Sequence, residues 1–443
     1  MNIDMTDERT VRNILAFSVP LFWGSILQNL YNIIDTVIVG RFVGKEALAI
    51  VGNLFAPMLL VNSIIAGSAS GITILISYYY GDRNFTEIKR MYSSILKLAV
   101  AMSCFLLIFG IVGVKQILEW MKIPKYMLEG GCLYFKIVTI GFPFSIVYNY
   151  LAAIFKGLGD SKAPLCFLSL SCLANLILDI VCVSLFNIGI VGVALATVLS
   201  QIISAVCMAL FFLNKEKLSL KVMDIRRADD WQNIVHILKY GITSTIQNSF
   251  SALSMMYIQS VVNEFGVDVI TAFSAAYKIE TILTVPAVSL GSSLGVFVGQ
   301  NKGSGNTKKM VEGLYITMAI SLVLFIIVNL LIWPFGGKML HLIVGNENKV
   351  IYYGNIYLRI TAVFYFFLTM LYLFTNFLRS SGEVIYPVFN TLLELGSRIL
   401  LVFILSRYFG VMGVFLGRPV SFFVSMFSLM LRYKSGSWKN KIF

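Results

Sequence analysis

Ile190-Val191-Gly192-Val193-Ala194-Leu195-Ala196-Thr197-Val198-Leu199-Ser200-Gln201-Ile202-Ile203-Ser204-Ala205-Val206-Cys207-Met208-Ala209-Leu210-Phe211-Phe212-Leu213 contains no Asp, Glu, Lys or Arg, and it then gives way to Asn214-Lys215-Glu216-Lys217. About 20 mostly apolar residues cross about 30 Å of hydrocarbon, so this stretch reads as a membrane span that stops where water begins. The polar segment after it, Asn214 to Gln232, carries Lys215, Lys217, Lys221, Arg226 and Arg227 and divides the 443-residue chain almost in half. Before it lie apolar runs from Ile14 to Val39, Ala47 to Tyr80, Tyr92 to Met121, Cys132 to Phe155 and Pro164 to Phe186, with the sixth beginning at Ile188. After it come Ile234 to Val262, Val269 to Val298, Met310 to Val344, Ile351 to Leu378, Pro387 to Tyr408 and Val411 to Leu431. The expected fold is an all-α polytopic membrane protein of twelve spans. Residues 1–213 form one six-helix lobe, 214–232 a cytoplasmic linker and 233–443 a second lobe.

Composition agrees with that reading. Hydrophobic residues make up 58% of the chain and charged residues 13%, where a soluble domain carries roughly 25% charged residues. The net charge of +13 is gathered in the gaps between runs, and no nucleic-acid motif accompanies it, so nucleic acid is set aside. Placing both termini in the cytoplasm puts the larger share of Lys and Arg inside, including Arg83, Lys89, Arg90, Lys302, Lys308, Lys309, Arg432, Lys434, Lys439 and Lys441. Met1 to Arg12 lacks the order of a signal peptide, so the first span is expected to stay in the mature protein. Cys104, Cys132, Cys166, Cys172, Cys182 and Cys207 form no C-x-x-C pair, and only His236 and His341 could add imidazole. A zinc site and a resident cofactor are therefore not expected, and neither is an enzyme, for want of a nucleophile–base or metal constellation.

The halves repeat at an offset of roughly 223 residues. Lys156-Gly157-Leu158-Gly159-Asp160 with Pro164 answers to Arg379-Ser380-Ser381-Gly382-Glu383 with Pro387. Phe186-Asn187-Ile188-Gly189-Ile190-Val191-Gly192-Val193 answers to Tyr408-Phe409-Gly410-Val411-Met412-Gly413-Val414, and Gly67-Ser68-Ala69-Ser70-Gly71 to Gly291-Ser292-Ser293-Leu294-Gly295. With six spans each, both halves begin on the same side of the membrane, so the repeat is parallel. Such duplicated bundles favour a substrate site near the midplane and alternating access.

Ionisable groups within a span are costly and mark candidate sites. Asp35 shares a helix face with Tyr31 and Gln28, one and two turns earlier, and Pro20 on the same helix permits a bend. Asp179 follows Asn175 by one turn in a run without Lys or Arg. These carboxylates could take Na⁺ or be protonated. In the second half Glu394 and Arg398 stand at i, i+4 and can pair, whereas Lys278 and Glu280 point apart and each needs a partner elsewhere. Gln247 and Asn248 could line a cavity or hydrogen-bond between helices. Tyr148, Tyr150, Tyr257, Phe364, Tyr365 and Phe367 could line a hydrophobic cavity for planar cations, and read by default as lipid-facing or interfacial rings.

Pro20, Leu30-Tyr31-Asn32-Ile33-Ile34-Asp35-Thr36-Val37-Ile38-Val39-Gly40-Arg41, Gly44 and Ala47-Leu48-Ala49 together resemble the first span of multidrug and toxic compound extrusion (MATE) transporters. So do Lys156 to Asp160 with Pro164, Asn175-Leu176-Ile177-Leu178-Asp179, Gly192 to Gln201, and the loop Gly299-Gln300-Asn301-Lys302-Gly303-Ser304-Gly305-Asn306. The resemblance implies two six-helix lobes that export organic cations across the cytoplasmic membrane in exchange for Na⁺ or H⁺. It implies that Asp35, Asn175, Asp179 and Thr197 form a cation and proton site, and that the helix of Pro20 bends as that site changes state. The chain lacks an acidic residue in its seventh run, where Gln247 and Asn248 stand, which favours coupling through the N-terminal lobe. Expected partners are the bilayer and small cationic amphiphiles, with the protein a monomer. The rival expectation is a flippase for lipid-linked saccharides or other lipid-like substrates.

Overall fold

A backbone inside hydrocarbon must satisfy its own N–H and C=O groups, and this chain does so with helices throughout. The computed structural model describes residues 3–120, 125–186, 188–215 and 230–441. The first half holds α1 (Thr10–Ile38), α2 (Lys45–Gly81), α3 (Phe85–Val112), the short α4 (Val114–Trp120), α5 (Lys125–Gly157), α6 (Lys162–Asp179) and α7 (Ile190–Lys215). The second holds α8 (Asp230–Val262), α9 (Val267–Gly303), α10 (Thr307–Val344), α11 (Asn348–Ser380), α12 (Ile385–Phe409) and α13 (Val411–Lys434). Eleven of these are long and apolar enough to cross a membrane. The 33-residue α8 is the twelfth long helix among the described residues, made more polar by Lys239, Gln247 and Asn248. Most of the expected linker, 216–229, lies outside the described residues.

Lipid contact is visible in the pattern of exposure. On α10, Leu322, Val323, Ile326, Ile327, Leu330 and Leu331 are all exposed, and that spacing lines one face of a helix. The opposite face buries Gly313, Leu314, Thr317, Ser321, Val328 and Ile332. In water such an outward face would be a liability; in a bilayer it is solvated.

Two expectations need correction. The third apolar run is not one helix: it bends at Gly113 into α3 and α4, where α4 turns polar with Lys115, Gln116 and Glu119. Nor are Tyr150 and Tyr365 lipid-facing, since both are buried. The Tyr150 hydroxyl donates to Ser68 Oγ at 2.9 Å and the Tyr365 hydroxyl to the Leu283 carbonyl at 3.0 Å. A buried hydroxyl is seldom left unpaired, and here each joins two helices.

The duplication reaches into backbone conformation. Asn84 and Asn306 cap α3 and α10 in the same way, each side chain accepting a backbone N–H three residues on. The residues just before them, Arg83 and Gly305, are both left-handed, with φ of 58° and 72°. Glycine adopts that region without penalty, whereas the first half holds it with an arginine. Gly159 matches Gly382 and Gly189 matches Gly410, all four with positive φ. The third sequence match behaves differently. Gly67 and Gly71 meet the backbone of α8, while Gly291 and Gly295 face Asn376 and Ser380 of α11.

Contacts group Trp23–Thr245 into one unit, and Asp4–Phe22 with Ile246–Phe443 into a second. The leading segment of each half therefore packs among helices of the other half. In the first unit Ser244 Oγ of α8 donates to Ser70 Oγ of α2 at 3.0 Å. In the second, Ser293 Oγ of α9 donates to the Ile14 carbonyl of α1 at 2.8 Å, and the buried Met5 N–H donates to Gln300 Oε1 at 2.9 Å.

Each unit also holds one member of a repeated ion pair. Asp160 Oδ2 accepts from Lys215 Nζ at 2.7 Å, and Glu383 Oε2 from Arg432 Nη2 at 2.8 Å. Asp160 Oδ1 also accepts the Lys162 and Ala163 amides that open α6. Burial acts to raise the Asp160 carboxyl, but Lys215 and the Ala163 N–H outweigh it, so its pKa lies below the ordinary carboxylate value. A depressed carboxylate adds stability above the pKa of the unfolded chain and loses it as pH falls through the folded value. Asp160→Asn should thus destabilise the solubilised protein by about 2 kcal/mol at neutral pH. The gap to wild type should close as pH drops below about 4, which thermal unfolding across a pH series will read.

Candidate functional site

α1 presents Tyr31 and Asp35 one turn apart, α6 presents Asn175 and Asp179 one turn apart, and α7 presents Thr197. The fold draws these three helices together in the first unit. With its amide nitrogen facing Asp179, Asn175 donates to Asp179 Oδ2 at 2.6 Å while its oxygen faces the Thr197 N–H at 3.3 Å. The carboxyl groups of Asp35 and Asp179 lie within hydrogen-bonding reach of each other. Tyr31 reaches the side chain of Thr197, whose hydroxyl also donates to the Val193 carbonyl at 3.0 Å. Asp179 and Asn175 are buried, at 1% and 2% exposure, and one oxygen of each carboxyl group, Asp35 Oδ1 and Asp179 Oδ1, is buried without a hydrogen-bond partner.

Two charged carboxylates this close repel strongly, so the arrangement calls for a proton or a cation between them. The charge found bearing on Asp179 is that of Asp35, a like charge. The ends of the two carrying helices add a further feature. α1 passes into a π-turn at Val39–Val43, and α6 into another at Ile180–Leu185, directly after Asp179. π-turns occur often beside functional groups because they leave the regular hydrogen-bond ladder incomplete. Among the described residues no cluster of three or more His, Cys, Asp or Glu side chains could hold a metal ion. Oxygen donors for a small hard cation would come from Asp35, Asp179, Asn175 and Thr197.

Other expected residues fall elsewhere. Gln28 is exposed. Pro20 is buried inside α1, which continues through it as a helix, and its segment belongs to the second unit. Tyr134 of α5 is the residue that sequence reasoning missed: it is buried at 6% exposure and lies near both Asp35 and Asp179. Nothing in the pattern around it distinguishes it from the other tyrosines of the chain.

The second unit builds a different kind of polar cluster. Glu280 of α9 takes its partners from distant helices: Arg418 Nη1 of α13 at 2.7 Å and the Tyr357 hydroxyl of α11. Arg398 pairs with Glu394 as their spacing predicts. It also donates from Nε to Ser421 Oγ at 3.1 Å and from Nη1 to Ser254 Oγ at 2.8 Å. Gln247 accepts from Arg379 Nη2 at 2.6 Å, while Asn248 and Lys278 are exposed. Arg418 is legible in the sequence as an arginine inside the twelfth apolar run. One unit thus concentrates carboxylates, and the other pairs carboxylates with arginines.

A family model described as MatE matches residues 20–181 and 242–404. The chain is 31% identical over 440 residues to the probable multidrug resistance protein YpnP of Bacillus subtilis, covering 98% of this chain and 97% of that one. It is 27% identical over 440 residues to the probable multidrug resistance protein YoeA of the same organism, covering 97% and 94%. Among solved structures, a MATE in complex with MaL6 superposes with a TM-score of 0.92 at 20% identity, covering 99% of each chain.

Proposed function

The chain belongs to the MatE family of multidrug efflux transporters, and from that membership we propose that it is a secondary antiporter exporting small organic cations in exchange for Na⁺ or H⁺. It is a multi-pass membrane protein and a transporter, not an enzyme. The observation that carries the coupling proposal is the meeting of Asp35 and Asp179, each with an unpartnered buried oxygen.

The cycle follows from electrostatics. With both carboxylates charged and empty, enclosing them in a low-dielectric environment is costly. A proton or Na⁺ held between them, with Asn175 fixing the Asp179 oxygen that it bonds, removes that cost and permits the lobes to change access. Release of the ion on the other side restores the charge and readies the site for a cationic substrate. Substrate and ion thus compete for the same negative charge, which is what makes exchange obligatory. In this reading the protein works as a monomer in the cytoplasmic membrane, with both termini in the cytoplasm.

Uptake of a fluorescent organic cation into inverted vesicles, under an imposed Na⁺ or H⁺ gradient, tests this. Uptake should follow one gradient and collapse when that gradient is dissipated. Absence of uptake under either gradient, from protein shown to be folded, would bring the second reading forward. That reading is a flippase for lipid-linked saccharides or other lipid-like substrates. It draws support from Arg379, Arg398 and Arg418, three arginines that the second unit carries within its spans.

A further inference from the structure

Arg398 and Arg418 belong to one cluster, yet they use their guanidinium groups differently. Arg398 engages all three nitrogens, with Ser421, Ser254 and Glu394. Arg418 engages Nη1 alone, which donates to Glu280 Oε2 at 2.7 Å and to the Tyr357 hydroxyl at 3.2 Å. Its Nε is buried without a partner, and among the described residues its Nη2 donates to none. Its side chain is 18% exposed where that of Arg398 is 6% exposed. An unpartnered edge, Nε with Nη2, therefore remains on a charged group inside a membrane span.

The surroundings of that edge are aromatic. The Arg418 guanidinium lies over the rings of Tyr277 and Phe422, at 5.3 and 5.5 Å from their centroids. If the arginine served only to neutralise Glu280, one point charge would be enough, and a lysine offers that with less to leave unsatisfied. The fork of an arginine matches a carboxylate or phosphate that accepts two parallel N–H bonds.

We propose that the Nε–Nη2 edge of Arg418 binds the carboxylate or phosphate group of a transported amphiphile, whose apolar body rests on Tyr277 and Phe422. Cargo then includes molecules that carry an acidic group, which Arg418 of the second unit receives. Glu280 holds the guanidinium through Nη1, and its negative charge, so close by, weakens the pull of the free edge on a second acidic group. That the bound molecule is cargo rests on the transport reading above; the binding itself does not.

The test uses purified protein in phosphatidylcholine nanodiscs, with no gradient, and two dyes that differ only at the acidic group. Rhodamine B carries a carboxylate, and its ethyl ester does not. Binding of each is followed by fluorescence polarisation, and the readout is the ratio of acid to ester affinity. Arg418→Gln should lower that ratio about tenfold, Arg418→Lys should restore it only in part, and Glu280→Gln should raise it. A ratio that stays at the wild-type value in all three variants overturns the proposal, as does full restoration by lysine. Phosphatidylglycerol added to the discs separates the sources of the acidic group. Displacement of rhodamine B assigns the edge to lipid phosphates as well, and undisturbed dye binding assigns it to soluble carboxylates. Failure of gradient-driven uptake in wild type would defeat antiport while leaving the affinity ratio, and so this site, intact.

Discussion

Asp179→Asn should insert and fold like the wild type and lose gradient-driven efflux down to the level of vesicles without the protein. The substitution keeps the size and planarity of the side chain, and an amide at 179 can still accept the hydrogen bond that Asn175 offers at 2.6 Å. What it removes is the charge that must appear and disappear on every turn of the cycle. With only Asp35 left to ionise, one charge must serve both the ion and the substrate. Size-exclusion profiles and efflux rates measured side by side will decide the matter, and efflux at the wild-type rate would remove Asp179 from the mechanism. Asp35→Asn should behave alike, because the two carboxyl groups act as one unit.

Gly71→Ala should be the most damaging single methyl group that can be added to the seam between α2 and α8. A β-carbon at Gly71 would stand 2.2 Å from the Ile237 carbonyl oxygen and 2.9 Å from the Gly241 nitrogen. Both obstacles are backbone atoms, so no rotamer change relieves the overlap and one helix must move. Overpacking of this kind costs about 1–3 kcal/mol. In the same helix, nothing lies within 4 Å of a β-carbon built at Gly52. Gly52→Ala should therefore be neutral or slightly stabilising, since alanine favours a helix over glycine by up to about 1 kcal/mol. Thermal unfolding in detergent compares the two directly. Equal melting temperatures for both variants would show that the seam is looser than its glycines indicate.

Much of this fold was legible because hydrocarbon imposes one demand on every span. The runs ending at Val39, Tyr80 and Leu213 end within a few residues of the helices observed, since apolar length alone decides them. The bend at Gly113 was only partly legible: Lys115, Gln116 and Glu119 make α4 more polar than the end of α3, but the apolar residues between them carry the run on past Gly113. The site divides in the same way. Asp35 and Asp179 were visible as charges where charges are expensive, and Asn175 as the neighbour one turn before. Their meeting depends on how α1 packs beside α6, which no local spacing encodes. Glu280 could be seen to need a partner. Arg418 lies 138 residues further on, and only tertiary packing identifies it.

The π-turn after Asp179 bears on how the two copies diverged. Gly159 and Gly189 stand thirty residues apart, while their counterparts Gly382 and Gly410 stand twenty-eight apart. The first copy is longer by two residues over this stretch, and Ile180–Leu185 is where its helix departs from regular winding, whereas α12 runs unbroken from Ile385 to Phe409. A π-turn lets a helix take up added residues without disturbing the packing before them. The extra length falls directly after the carboxylate of the first copy, where the second copy has no such turn. The two halves therefore differ in backbone register beside that carboxylate as well as in the charged side chains they carry.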